Sequence, residues 1–155
     1  MYQNEIIETA NPLSEEDIRQ LEEQIGIAFP PVLKEHYLRY NGGIIADDKN
    51  VYQERDVEVG LSEFLSIRYH QYEGSLLLEY MYIKYVQKLK IIPSNFIPFA
   101  TDGGGFPFCF NIDDGTIYLC YLDESIDSPE GPMRYIAPSL SDLINKMKTA
   151  EEAYY

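Results

Sequence analysis

The sequence contains few of the residues that build metal sites and disulfide frameworks. Its 155 residues include two cysteines, two histidines and no tryptophan. Two cysteines do not make the disulfide framework of a small secreted protein, and two histidines without clustered cysteines do not make an ordinary structural zinc site. We therefore expect no metal and no other cofactor, with Cys109 and Cys120 present as reduced thiols.

A long apolar run and a basic leader are also missing. The most apolar stretch, residues 76–89, is interrupted by Glu79, Lys84 and Lys88, so it is too short and too polar to span a bilayer. The first residues lack the basic and apolar regions of a signal peptide. These absences predict a cytoplasmic protein without a membrane partner.

Basic residues are scarce relative to acidic ones. The chain has 26 Asp and Glu against 12 Lys and Arg, which gives a formal net charge of −14. Nucleic-acid binding depends on Lys and Arg that neutralise phosphates, so we expect no nucleic-acid partner. A basic protein surface would instead be attracted. Such a charge can also serve solubility alone, and composition does not distinguish that role from the binding of a basic partner.

The length and the patterning predict a single α+β domain. A chain of this length can bury a core without metal or disulfide staples, and no repeat, low-complexity segment or linker divides it. We predict one domain over residues 1–155, with its core at about 13–147. It should have N-terminal helices, a central antiparallel sheet with hairpins, and a C-terminal helix.

Local signals mark the two N-terminal helices. Ser14 and Asp17 form an approximate capping box at the start of the first helix, and Gly26 ends it. The segment 29–31, Phe-Pro-Pro, opens a second helix, and the Asn-Gly-Gly of residues 41–43 stops it.

Several other segments have weaker patterns. Residues 75–90 suit a helix or a strand by composition, and their length favours a helix. We predict short strands at 44–46 and 57–59, a short helix at 61–67, and a last helix capped by Ser139 with Asp142.

Alternation with a period of two begins after Pro93 and predicts an antiparallel sheet. The predicted strands are 96–100, 106–112, 116–122 and 133–137. Asp114-Gly115 is predicted to form a two-residue hairpin turn, which pairs Ile112 with Ile117 and Cys109 with Cys120. A slip by one residue would disrupt the shared apolar face.

The motifs that could indicate catalysis or ion binding are weak. The glycine-rich turn at 102–105 is not followed by the helix or the lysine that a phosphate loop needs. Residues 113–115, Asp-Asp-Gly, lack the alternating oxygen ligands of a calcium loop. Neither His36 nor His70 has neighbours at metal-ligand spacing. We predict no catalytic site, although residues far apart in sequence can still assemble a triad in space.

A run of acidic residues is the clearest candidate for binding. Residues 102–130 contain seven carboxylates and no Lys or Arg, together with tyrosines, which are enriched at interface anchors. The predicted partner-binding residues are Asp102, Asp113, Asp114, Tyr118, Asp123, Glu124 and Asp127. A solvated acidic rim around packed tyrosines is the other interpretation. The acidic first helix, with Glu15, Glu16, Glu22 and Glu23, is an alternative surface.

Several segments of the chain resemble the SUKH superfamily. Residues 21–31 and 37–43 are similar to its N-terminal signature of a helix, a short connection, a second helix and a closing Asn-Gly-Gly. Residues 97–113 resemble its central strand signature, and residues 139–143 its last helix. The resemblance covers about Leu13 to Met147 and includes a similarity to the YobK-type bacillar immunity proteins.

This resemblance implies a function that the residues alone do not. Bacterial SUKH proteins resemble immunity proteins that bind and neutralise a cognate polymorphic toxin, and the YobK type implies the C-terminal RNase domain of an LXG toxin. Fungal relatives resemble cell-wall regulators, so a regulatory scaffold is the first alternative. A small carboxylate-based hydrolase is the second, and it would need a cleft of carboxylates with raised pKa values.

Overall fold

An antiparallel sheet of five strands forms the centre of the protein. The computed structural model describes residues 2–155. The strands in this range are β1 (Ile6–Ile7), β2 (Ile44–Ile45), β3 (Val51–Glu54), β4 (Val57–Gly60), β5 (Glu63–Phe64), β6 (Phe96–Thr101), β7 (Pro107–Asn111), β8 (Ile117–Cys120) and β9 (Met133–Ala137). The central sheet has the order β5-β6-β7-β8-β9, whereas β1 pairs with β2 and β3 with β4 in two small sheets.

Helices lie before, between and after the strands of the central sheet in the chain. They are α1 (Glu15–Ile25), α2 (Pro31–Arg39), α3 (Leu78–Tyr82), α4 (Leu140–Asn145) and α5 (Ala150–Tyr154). A π-helix (Ile83–Lys88) continues α3 directly. The helices and the antiparallel sheet confirm the predicted α+β fold in a single domain.

The predicted capping of α1 is confirmed. The Ser14 hydroxyl accepts a hydrogen bond from the backbone N–H of Asp17 at 3.1 Å, and the Asp17 carboxylate accepts one from the Ser14 N–H at 2.9 Å. Gly26 ends the helix with a φ of 78°, in the left-handed region that glycine adopts readily. Helix α2 begins at Pro31 as predicted, and residues 75–90 contain the predicted helix.

The prediction of a helix at 61–67 is wrong. Glu63 and Phe64 form β5, which pairs with Thr101 and Ala100 of β6. Tertiary pairing overrides local composition here, since a two-residue strand has no periodicity of its own. Strands β1 and β3 and helix α5 also went unpredicted, although the spacing of Thr149 and Glu152 is that of the capping box that starts α5.

The predicted register of the β7–β8 hairpin is wrong by two residues. Phe110 pairs with Ile117 and Phe108 with Leu119, so residues 112–115 form a four-residue loop. The Asn111 side chain accepts a hydrogen bond from a backbone N–H within this loop, which favours the longer turn. A shift of two residues leaves every side chain on the same face of the sheet. The alternation of apolar and polar residues therefore cannot distinguish the two registers.

The corrected register separates the two cysteines. Cys109 pairs with Tyr118, and Cys120 pairs with Met133 on the other side of β8. Both thiols are free and fully buried. Burial raises the pKa of Cys109 and raises that of Cys120 to about 12, so neither is poised to act as a nucleophile.

The side chain of Asn41 joins three segments of the chain. Its amide nitrogen donates to the carbonyl oxygens of Asn11 at 2.8 Å and Ile67 at 3.0 Å, and its oxygen accepts from the Ile67 N–H at 2.7 Å. Asn41 is only 2% exposed. These hydrogen bonds connect the end of α2 to the segment before α1 and to the segment after β5.

The two glycines that follow Asn41 are required by space and by backbone conformation. Gly42 and Gly43 have φ values of 81° and 101°. A Cβ on Gly42 would lie 2.7 Å from the Gln71 side chain and 2.9 Å from Ser66, and one on Gly43 would lie 2.5 Å from the carbonyl oxygen of Ile7. The Asn-Gly-Gly motif is therefore a packed junction in this fold.

His36 is a core residue of α2. It is 1% exposed, its Nδ1 lies 2.8 Å from the Tyr2 hydroxyl, and its Nε2 is buried without a hydrogen-bond partner among the described residues. The rings of Tyr37 and Phe64 pack against it. Burial lowers the pKa of His36 to about 4.

Replacing Asn41 by Ala should lower the free energy of unfolding by about 2–4 kcal/mol, because the buried N–H and carbonyl of Ile67 lose their partner. Chemical denaturation measures this loss, with Asn50→Ala as the control because Asn50 is exposed. Equal stability of the two variants would contradict the role assigned to Asn41.

The burial of His36 should make the protein less stable in acid. Its pKa falls from 6.5 to about 4 on folding, so the unfolded chain takes up the proton first, and stability decreases as the pH falls from about 6.5 to 4. Between pH 7 and 4.5 the free energy of unfolding of the wild-type protein should fall by about 2–3 kcal/mol more than that of the His36→Phe variant, as measured by urea denaturation. Identical losses would contradict this assignment.

Candidate partner-binding surface

The predicted acidic residues fall into two groups at opposite ends of the sheet. Asp102 lies in the β6–β7 turn, and Asp123 to Asp127 lie in the β8–β9 connection, so residues 102–106 and 121–132 together form what we call the loop end. Asp113 and Asp114 lie in the β7–β8 turn, residues 112–116, the hairpin end. The five residues of β7 separate the two ends by roughly 17 Å.

The hairpin end carries two exposed carboxylates. Asp114 accepts hydrogen bonds from the backbone N–H and the hydroxyl of Thr116 at 3.0 and 2.6 Å. These hydrogen bonds hold the pKa of Asp114 below its ordinary value. Asp113 accepts a longer hydrogen bond, 3.3 Å, from the Asn95 side chain. Asp114 is therefore the carboxylate that mainly orders this turn, because its hydrogen bonds are the shorter ones.

At the loop end, Asp102 organises the glycine-rich turn. Its carboxylate accepts from the backbone N–H groups of Gly104 at 2.9 Å and Phe106 at 2.8 Å. The Phe106 ring packs edge-on against the Tyr121 ring, with centroids 5.5 Å apart. The turn therefore lies against the β8–β9 connection, which brings Asp102 to the same end as Asp123 and Glu124.

Arg134 of β9 neutralises part of the acidic charge at the loop end. It forms ion pairs with Glu124 and, at 3.1 Å, with Glu130, and its guanidinium lies 5.1 Å from the centroid of the Tyr121 ring. The sequence interpretation missed this residue because it lies four positions beyond the acidic run. Asp123 and Asp127 are exposed and form no ion pair within residues 2–155.

A row of aromatic rings lies between the two acidic ends. The Tyr118 ring is 5.0 Å from that of Phe96 and 5.7 Å from that of Tyr135, both in edge-on contacts. Alternation along the strands places this row on the face opposite Phe108 and Phe110. Tyr118 is half-buried, and Tyr135 is 48% exposed. Tyr135 is a surface residue that the predicted site did not include, although the register places it beside Tyr118.

A cleft of about 330 Å³ lies beside Tyr135, between β3–β4 and β9–α4. Four of its polar side chains pair with one another: the Tyr52 hydroxyl donates to Asp142 at 2.7 Å, and Lys146 contacts Glu54 at 2.8 Å and Asp142 at 3.1 Å. These contacts connect β3 to α4 and to the residue that follows it, beside the aromatic row.

The acidic first helix differs from this surface because its charges are compensated. Its acids form ion pairs as follows: Glu15 with Lys34, Glu16 and Glu23 with Arg19, and Asp17 with Arg68. The Glu22 carboxylate accepts a hydrogen bond from the backbone N–H of Phe29 at 2.6 Å. The free negative charge of α1 is therefore lower than its sequence suggests.

A small cleft of about 180 Å³ brings Asp17 and Glu79 together. Burial raises the pKa of Glu79. Hydrogen bonds to the Ser14 backbone and side chain lower that of Asp17, and its two oxygens are occupied by Ser14 and Arg68. The cleft therefore holds one carboxylate with a raised pKa, Glu79, and one that is already engaged by Ser14 and Arg68.

The other candidates for catalysis or metal binding are dispersed. His36 is in the core, and His70 Nδ1 lies 2.8 Å from the Ser75 carbonyl oxygen in a loop. Within residues 2–155, no group of three or more His, Cys, Asp or Glu is arranged to hold a metal ion.

Comparisons with known proteins complete the description of the chain. None of the helices in residues 2–155 has both the length and the apolar character needed to cross a membrane. The search of curated proteins gives no significant match. The sequence model of the SMI1 / KNR4 family (SUKH-1) matches residues 12–146, which include α1 to α4 and the whole five-stranded sheet. The chain therefore belongs to the SMI1 / KNR4 (SUKH-1) family.

Proposed function

We propose that this protein is an immunity protein that neutralises a cognate polymorphic toxin in the cytoplasm by stoichiometric binding. The proposed target is the C-terminal RNase domain of an LXG-type toxin. Membership of the SUKH-1 family supports the proposal, because it is consistent with immunity-protein function and with binding to toxin partners. In this proposal the protein has no enzymatic activity and binds neither nucleic acid nor a membrane.

The observation that carries the proposal is an aromatic row between two acidic ends. Protein interfaces commonly have an aromatic centre and a polar rim, and Tyr118 and Tyr135 with the flanking carboxylates fit that arrangement. An interface of standard size covers about 800 Å² on each partner, which is roughly 30 Å across. One partner could therefore contact Asp113 at the hairpin end and Asp123 at the loop end together.

Charge gives this surface its selectivity for a basic partner. An RNase must attract phosphates, so its cleft is expected to be basic, and a protein of net charge −14 would be drawn to it. Asp113, Asp123 and Asp127 are exposed, so they would act mainly on the rate of encounter. Tyr135 would lose contact with water in the complex and act mainly on dissociation.

Reversing the exposed charges should slow binding to the cognate toxin domain. The variant Asp113→Lys/Asp123→Lys/Asp127→Lys should associate roughly tenfold more slowly at low ionic strength, with a weaker salt dependence, and should protect toxin-expressing cells less well. Stopped-flow kinetics and a growth assay measure the two effects. These positions avoid Glu124 and Asp114, which stabilise the local structure.

The matched control reverses three other exposed acids, Glu5, Glu73 and Glu151, and so makes the same change in net charge. In the same assay Tyr135→Ala should raise the dissociation rate, whereas Tyr154→Ala, at a comparably exposed tyrosine, should not. If the control triple variant slows association as much as the test variant, the effect is one of net charge, and the binding surface lies elsewhere.

A further inference from the structure

Three lysines form a basic cluster without ion pairs in this acidic protein. Lys84 and Lys88 lie in the π-helix, and Lys90 follows it. None of the three is ion-paired with a residue in the range 2–155, so their positive charge is not neutralised within the described chain. They differ from the other cations without an ion pair, such as Arg39 and Arg55, because two of them line an apolar groove.

The basic cluster borders an open apolar groove. The groove has a volume of about 400 Å³ and is lined by Tyr80, Ile83, Lys84, Lys88 and Leu89. Tyr80 and Leu89 are 50% and 54% exposed. The Lys84 ammonium lies 5.7 Å from the Tyr80 ring centroid and 5.1 Å from that of Tyr85, which holds the charge at the edge of the groove.

The groove residues follow one side of α3 and of the π-helix that continues it. Tyr80, Lys84 and Lys88 recur at intervals of four residues, and the π-helix is closed by the hydrogen bond from the Leu89 N–H to the Lys84 carbonyl at 2.9 Å. Lys90 then adopts a φ of 54°, in the left-handed region, which turns the chain away from the helix. Such π-helical turns occur frequently at functional sites.

We propose that this basic groove is a second docking surface, which binds an acidic protein segment that carries an apolar or aromatic side chain. The apolar side chain would cover Tyr80 and Leu89, and the neighbouring carboxylates would pair with Lys84 and Lys88. A basic toxin surface would be repelled, so this partner differs in charge from the one in the proposed function. A groove of this size accepts one or two side chains, which suits a peptide segment better than the extended surface of an anionic membrane.

The experiment is a titration of the isotopically labelled full chain, followed by NMR. The probe is a twelve-residue peptide in which pairs of glutamates alternate with single leucines, and a peptide with lysines in place of the glutamates is its counterpart. The acidic peptide should cause saturable shifts centred on the amides of Tyr80–Leu89, and the lysine peptide should cause none there. Lys84→Glu/Lys88→Glu should weaken binding about tenfold or more, and Leu89→Ser should also weaken it.

The control variant is Arg39→Glu/Arg55→Glu, which makes the same change in charge at two exposed cations elsewhere and should bind like the native protein. Three outcomes would overturn the proposal: no saturable shifts in the groove, equal weakening by the control, or shifts there caused only by phosphatidylserine vesicles. The titration contains no toxin, so its failure would leave the proposed function intact.

Discussion

The buried hydrogen bonds of Asn41 are the constraint on which the arrangement of this fold depends. Through them the end of α2 is connected to the segment before α1 and to the segment that leaves β5. Gly42 and Gly43 allow the backbone to approach Ile7 and Gln71, and Gly43 also accepts a hydrogen bond from the Phe64 N–H. Tyr37 adds a second connection from α2 to the sheet, since its hydroxyl contacts the carbonyl oxygens of Leu65 and Phe99. The Asn-Gly-Gly part of the family signature is therefore a structural junction.

With the helices held in this way, the antiparallel sheet determines where the charges lie. Successive turns alternate between its two ends, so a run of acids that is continuous in sequence divides into a loop end and a hairpin end. The connecting strand β8 presents Tyr118 between them, and β9 adds Tyr135. Arg134 and α1 show that many acids are already neutralised within the chain. The exposed, unpaired residues Asp113, Asp123 and Asp127 are therefore more informative about a partner than the net charge.

Sequence reasoning succeeded where the determining interactions are local. The Ser14–Asp17 capping box, the Pro31 start of α2 and the alternation of β6 to β9 each depend on residues close in sequence. It failed where distant pairing decides, as at Glu63–Phe64, and where two registers are equivalent in polarity, as in the β7–β8 hairpin. The acidic site residues could be predicted because composition alone reveals them. Their separation, the ion pairs of Arg134 and the exposure of Tyr135 depend on strand order and register, which the pattern of residues does not specify.

The central proposal is that this SUKH-1 protein neutralises a toxin by occupying it and has no catalytic role in doing so. The most direct test is to titrate the purified protein into a fixed amount of the cognate toxin's RNase domain while RNA cleavage is followed. The account predicts that cleavage falls linearly to zero at one equivalent and returns when high salt dissociates the complex. Complete and irreversible loss of cleavage far below one equivalent, or full activity in the presence of an excess of the protein, would contradict it.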